Sequence, residues 1–243
     1  MKQYDYCNLE EDAHIFHMWE PLKFKIKDGY KFISDSFIFN FLSNLLFIPI
    51  ALILSVLNRI LFGFKIVNKD LLIHETGMVS ISNHIHPMDC TMIGLVYSPR
   101  RVYFPTLQSN FKIPFIRHLI KILYAIPIPT KDYQKKEFYE QINTSLQKGR
   151  IVQMYPEGSL WPYYEDIRNF KYGAFKMAVD ANVPIQPIRF EFKERTGIYK
   201  LYKRKKCIHA VVLEPIFPNN ELEKKERIED LKTRVYEKMK EEI

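Results

Sequence analysis

From Ser36 to Asn58, between Asp35 and Arg59, the chain carries no charged residue for 23 positions. Wound as an α-helix, such a run reaches about 35 Å, enough to cross a hydrocarbon core of ~30 Å. Asn40, Ser43, Asn44 and Ser55 dilute it, and Pro49 stands at its middle. Three readings follow. The run is a single kinked transmembrane helix, a helical hairpin or amphipathic pair dipping into one leaflet with Pro49 at or near the bend, or a buried core helix. Few core helices stay uncharged for so long, which favours membrane contact. Lys23, Lys25, Lys27 and Lys31 precede the run, and Arg59 and Lys65 follow it. A spanning helix usually has its cations biased to one side, so these flanks favour the one-leaflet form. The residues before the run are polar and mixed in charge. Glu10, Glu11 and Asp12 stand where a cleaved leader would be basic.

The remaining sequence is long enough for one core. At 243 residues a single domain buries roughly 70–75% of its unfolded surface. Hydrophobic residues make up 47% and aromatics 14%, which excludes a disordered, collagen-like or disulfide-stapled chain. The net charge of +8 points to an anionic partner: nucleic acid, a phosphorylated metabolite or an anionic membrane. Cys7, Cys90 and Cys207 have no metal spacing, and an odd number suits a reducing compartment. The organisation expected is an N-terminal arm with a membrane-associated helical segment over 1–63, followed by an α/β domain over 64–243.

After Gly63 short apolar runs alternate with helical patterns. Strands are expected at Met78–Ser82, Arg101–Thr106, Ala125–Ile128, Arg150–Tyr155, Ile185–Phe192 and Cys207–Leu213. Asp132–Lys148 has Phe138, Ile142 and Leu146 on one helical face and Gly149 as its stop. Tyr172–Asn182 is a second helix. Ile228, Leu231, Val235, Met239 and Ile243 form the apolar stripe of a charged third one. This alternation predicts a mixed, largely parallel sheet flanked by helices. Lys200, Lys203, Arg204, Lys205 and Lys206, with Tyr199 and Tyr202, are expected to tip a hairpin facing anionic lipid or solvent. The same cluster suits nucleic acid, but the chain offers no other motif for that, and no nucleic-acid partner is expected.

Titratable residues follow directly on the first strand, in Ser82-Asn83-His84-Ile85-His86-Pro87-Met88-Asp89-Cys90. Loops at the carboxyl ends of parallel strands are where α/β proteins place their sites. With Pro87 opening a helix, Asp89 lies in its first turn, and the loop can fold back so that the carboxylate holds the His84 ring. That fixes the tautomer and leaves the other ring nitrogen free to take a proton. Taken alone, the spacing is equally an acid at a helix start beside an ordinary loop histidine. His84, His86, Asp89 and Cys90 also offer metal-binding types, but no second ligand cluster accompanies them, and no metal is expected. A second constellation, Tyr155-Pro156-Glu157-Gly158-Ser159, again stands at a strand end, with Gly158 free to adopt a positive φ beside a ligand. Phe170-Lys171-Tyr172-Gly173-Ala174 and Val183-Pro184-Ile185-Gln186-Pro187-Ile188 follow in order.

In this order the blocks resemble the glycerolipid acyltransferase family, whose best-known members are the 1-acylglycerol-3-phosphate acyltransferases. The family's Asn-His with Asp after four residues is Asn83, His84 and Asp89. Its second block is similar to Phe111–Phe115 through Ile128–Lys131. Its Pro-Glu-Gly-Thr motif is similar to Pro156, Glu157, Gly158 and Ser159. Its Phe-Lys-x-Gly-Ala and Val-Pro-Ile-x-Pro-Ile elements match 170–174 and 183–188. The resemblance spans about 64–215. It implies transfer of a fatty acyl group from an acyl-CoA or acyl carrier protein thioester to a hydroxyl of a lysolipid, most simply 1-acylglycerol-3-phosphate. It further implies work at the cytosolic face of the cell membrane, monotopic or single-pass, in phospholipid synthesis, with no cofactor beyond the thioester. His84 would be the general base and Asp89 its orienter. Asn83, Glu157, Gly158 and Ser159 would shape the acceptor pocket.

Two departures bear on the acceptor. The family's Arg after Gly-Thr is Leu160 here, and the Lys ahead of its Ile-Pro pair is best matched by Gln108. Both family cations are associated with the acceptor phosphate. Lys131, Arg168 and Lys171 are the nearby cations that could compensate. Trp161, Tyr163 and Tyr164 suit instead a choline-like headgroup, a sugar or an acyl chain. A different lysophospholipid or glycolipid acceptor, a thioester hydrolase and a non-catalytic membrane-surface protein are the alternatives.

Overall fold

The computed structural model describes residue 10 and residues 21–34 and 36–241. Cys7, Glu11, Asp12, Asp35 and Ile243 lie outside the described residues. Seven strands form one sheet: β1 (Lys65–Val67), β2 (Met78–Ser82), β3 (Val102–Thr106), β4 (Ala125–Pro127), β5 (Ile151–Met154), β6 (Ile185–Lys193) and β7 (Cys207–Val212). Their order is β1-β7-β6-β2-β5-β3-β4, with every pair parallel except β6 with β7. The expected mixed, largely parallel sheet is therefore present. The helices are α1 (Phe37–Phe62), α2 (Asp89–Tyr97), α3 (Ile116–Ile122), α4 (Asp132–Gln147), α5 (Gly173–Ala181), α6 (Tyr199–Tyr202) and α7 (Lys224–Lys240).

All five residues of β2 are buried, as a central parallel strand covered on both faces requires. One cluster joins its Val79 and Ile81 to Phe138 and Ile142 of α4, Phe175 and Ala178 of α5, and Leu231 and Val235 of α7. The other joins Met78 to Met92, Ile93 and Val96 of α2. Ile26, Phe32 and Ile33, ahead of α1, belong to the core as well. Phe32 packs its ring against Phe138 at 5.2 Å, and its N–H donates to Gln141 Oε1 at 2.9 Å.

The uncharged run forms one continuous 26-residue helix, α1, with Pro49 inside it. The Ser36 hydroxyl accepts the Phe39 N–H at its start. At its end Gly63, at φ 59°, turns its N–H back to the Arg59 carbonyl. The hairpin bent at Pro49 is not formed. A proline removes a single backbone donor, and side chains on both sides of it tie the helix to the domain. Before it, Ser43 is bonded to the Ile122 carbonyl and to Arg101, whose guanidinium lies 4.0 Å from the Phe47 ring centroid. After it, Asn58 Nδ2 donates to Thr91 Oγ1 of α2 at 3.2 Å. The core-helix reading fails as well, because Phe41, Leu45, Ile48, Leu52, Ile53 and Val56 are all exposed.

The basic segment does tip the β6–β7 hairpin, but three of its lysines are spent internally. Lys203 Nζ donates to the Leu61 carbonyl at the end of α1 (2.6 Å). Lys205 Nζ stands 3.1 Å from the Tyr163 ring centroid, and Lys206 pairs with Glu165 at 2.9 Å.

Candidate active site

β2 and β5 are hydrogen-bonded neighbours, so the loops leaving their carboxyl ends emerge side by side. The first residue after β2, Asn83, is buried and both ends of its amide are used. Its Nδ2 donates to the Phe190 carbonyl (3.0 Å) and its Oδ1 accepts the Phe190 N–H (2.8 Å). It works as a clip onto β6.

The next five residues wrap around one carboxylate oxygen. Asp89, the first residue of α2, is fully buried. Its Oδ2 accepts from the Ile85 N–H (2.8 Å) and the His86 N–H (3.0 Å), and meets His84 Nδ1 at 2.8 Å. A carboxylate at a helix start is favoured by the dipole, and here backbone donors fix it in place. With Nδ1–H donating to Asp89, the His84 tautomer leaves Nε2 as the basic nitrogen. The Tyr155 ring lies flat against His84, centroids 4.0 Å apart and planes 15° apart. Tyr155 was legible as part of the second constellation, but no spacing signal announces a stacking contact across two loops.

The second loop buttresses the first. Glu157 Oε2 accepts the His84 N–H at 3.1 Å, and the Trp161 N–H donates to the His84 carbonyl at 3.1 Å. Glu157 is in turn held by Arg168, whose guanidinium reaches Oε2 at 2.8 Å and whose backbone N–H reaches Oε1 at 3.1 Å. Arg168 is only 7% exposed. It also bonds Ser159 Oγ at 2.8 Å and lies 4.5 Å from the Trp161 ring centroid. Burial pushes the Glu157 carboxyl above its ordinary range, and Arg168 opposes that shift. Gly158 stands at φ 80°, and a Cβ there would meet Lys171 Cε at 2.8 Å, so the turn accepts no other residue without displacement.

An open cleft of about 420 Å3 lies over these loops, walled by His84, Gly158, Ser159, Lys171 and the apolar Phe104, Leu107, Ile128 and Leu160. Of the residues read from sequence, His84, Gly158, Ser159 and Lys171 meet at this cleft. Asp89, Asn83, Glu157 and Arg168 lie behind its wall. Lys131 stands elsewhere, with its Nζ 3.2 Å from the Tyr133 hydroxyl. Gln108 is turned to the Ile128 carbonyl (3.0 Å), and Trp161, Tyr163 and Tyr164 do not line the cleft. Lys171 is the one Lys or Arg among the described residues of the wall. No group of three or more His, Cys, Asp or Glu suited to a metal occurs among the described residues.

A family model described as Acyltransferase matches residues 63–191, which hold both loops and the cleft wall. The chain belongs to the acyltransferase family. A curated relative of this acyltransferase, the 1-acyl-sn-glycerol-3-phosphate acyltransferase of Bacillus subtilis (strain 168), is 24% identical over 129 residues. That match covers 53% of this chain and 63% of that protein, so it spans less than two thirds of the relative's length. Among solved structures, the 1-acyl-sn-glycerophosphate (LPA) acyltransferase PlsC of Thermotoga maritima aligns at 20% identity with a TM-score of 0.46. The alignment covers 72% of this chain and 71% of that one.

Proposed function

We propose that this family member transfers an acyl group from a thioester to the free hydroxyl of a lysolipid. The observation that carries this is the His84–Asp89 pair, 2.8 Å apart, at the wall of a mostly apolar cleft. A hydroxyl that keeps its proton is a weak nucleophile toward a thioester. His84 Nε2 takes that proton as the oxygen–carbon bond to the thioester carbonyl forms. The carbon–sulfur bond then breaks, and the imidazolium returns the proton to the departing sulfur. Asp89 keeps the ring in the tautomer both steps need and stabilises its charged form. Base and acceptor meet in one ternary complex, so no acyl-enzyme is required.

The acceptor follows from two arguments. The Bacillus relative is named for 1-acyl-sn-glycerol-3-phosphate, and we carry that substrate to this chain. Lys171 on the cleft wall is the cation suited to its phosphate. Arg168, buried on Glu157, positions the loop that holds His84 and is a poor phosphate ligand in this geometry. Acyl-CoA or acyl carrier protein supplies the thioester, which puts the work on the cytosolic face of the membrane.

Purified protein given a labelled acyl thioester and a panel of lysolipids tests the reading. Ester on lysophosphatidate supports it. A higher rate on a neutral or zwitterionic lysolipid moves the acceptor. Free fatty acid as the sole product identifies a hydrolase, and no product at all a binding protein.

A further inference from the structure

The three longest stretches of the chain without Asp or Glu are 36–69, 90–131 and 195–213. Together they hold 95 residues with 15 Lys and Arg, while the other 148 residues hold 21 Lys and Arg against 28 acids. The whole positive charge of the molecule therefore comes from these stretches. They are also the stretches that carry α1, α3 and α6, and each presents large apolar side chains to the outside. On α1 these include Phe37, Leu45 and Leu52. At the start of α3 Phe115 is 88% exposed, and around α6 Ile198 is 67% and Leu201 85% exposed.

The three elements adjoin. The residues of α1 that are not exposed include Asn40, Ser43, Phe47, Ala51, Leu54 and Asn58, one stripe at helical spacing. Through Ser43 that stripe meets the last residue of α3, and through Asn58 it meets α2. At the other end, the Tyr202 hydroxyl and Lys203 Nζ of the α6 segment donate to the Ile60 and Leu61 carbonyls. So α1 lies along the domain over nearly its full length. A helix docked that way cannot cross a bilayer without drawing α2, α3 and the half-buried Arg101 in with it.

We propose that α1, the Phe115 end of α3 and the Ile198–Leu201 tip of α6 form one surface that lies in a single leaflet of an anionic bilayer. The α1 axis then lies parallel to the membrane plane. The apolar side chains enter the acyl boundary, and Arg59, Lys200 and Arg204 meet the anionic headgroups. Leu107 and Ile128 belong to the same acid-free stretch, wall the cleft and are themselves exposed. The 108–112 turn that follows Leu107 packs on α3, so in the proposed pose the cleft wall leads toward this surface, and a lysolipid keeps its chain in the leaflet while its headgroup reaches His84. The inference rests on the membrane part of the functional reading and is independent of the reaction.

The test places single spin labels on protein with Cys7, Cys90 and Cys207 changed to Ser, bound to vesicles of phosphatidylcholine with phosphatidylglycerol. The label sites are Ile38→Cys, Leu61→Cys, Phe115→Cys, Leu201→Cys and, on the α7 side, Phe217→Cys. The expected result is a shared shallow depth for the first four and water for Phe217. Labels at 38 and 61 lying at depths that differ by roughly 35 Å, the length of helix between them, would make α1 a spanning helix and overturn the proposal. Labels at 115 and 201 in water overturn the three-element surface. Labels shielded from water without vesicles make the face a contact between copies of the chain, which also overturns it. Should the cysteine-free protein fail to fold, Phe115→Ser and Leu201→Ser in the native sequence serve instead. Each should lower vesicle partition about tenfold, with Phe217→Ser unchanged. Equal partition of all three contradicts the proposal.

Discussion

At the residue scale the proposed reaction asks one group, His84, to move a proton and several others to hold that group in place. His84→Ala should lower kcat at least ~100-fold with KM little changed, and Asp89→Asn should do comparable or somewhat smaller damage. Steady-state kinetics on folded protein checks both. Arg168 and Lys171 separate on the same plot. Lys171→Ala should raise KM for a phosphate-bearing acceptor about tenfold, the loss of one charge-assisted contact. Arg168→Ala should lower kcat instead, because it frees Glu157 and with it the His84 backbone. A KM effect confined to phosphate acceptors in the Arg168 variant would return that residue to the acceptor. His86→Ala should be mild for activity, since its ring packs between Phe62 and Tyr163 and faces neither partner of the base. Its effect belongs to stability. The Met88 N–H donates to His86 Nδ1 (3.1 Å), and burial holds the ring's pKa below 6.5 against the pull of Asp89. The unfolded chain takes the proton first as pH falls. The stability this ring contributes is therefore complete above about pH 6.5 and is lost as pH falls toward its lowered folded value. His86→Asn should lose less Tm than the native protein between pH 7 and 5, measured by thermal melts across that range.

At the element scale α1 is held by polar contacts while its apolar face stays outside. Asn58, buried between α1 and α2, donates to the Leu54 carbonyl and to Thr91 Oγ1. Asn58→Leu removes both and should destabilise the protein by about 1–3 kcal/mol, readable by denaturant unfolding in detergent. An unchanged midpoint would mean that apolar packing alone seats the helix. Both strand-end loops and most element bounds were legible in the sequence, because a buried parallel strand is a short apolar run and β2, β5 and β6 are bounded by polar or proline punctuation. β1 was not legible. Three residues, Lys65–Val67, carry too little pattern, and their pairing with β7 is decided across the fold. The path of α1 was not legible either. Hydropathy sees the apolar run but not the Ser43 and Asn58 partners, which lie 79 and 33 residues away in sequence.

At the scale of the whole molecule, the sheet brings two loops together at neighbouring strand ends, and the acid-free side of the chain turns a lipid-compatible face outward. The His84–Asp89 relation could be read from spacing only as one of two possibilities; the structure adds the three donors converging on one carboxylate oxygen. The fates of Glu157 and Arg168 were not readable, because a buried ion pair and a pair of solvated charges look alike in sequence. What joins these features is the proposed acyl transfer, with His84 as its base. The most direct measurement compares ester formation from a labelled acyl thioester and lysophosphatidate by the native protein and by His84→Ala, both bound to the same vesicles and shown folded by their melting curves. The account predicts labelled phosphatidate from the native protein and at least a ~100-fold slower rate from the variant. Equal rates from the two proteins would contradict it.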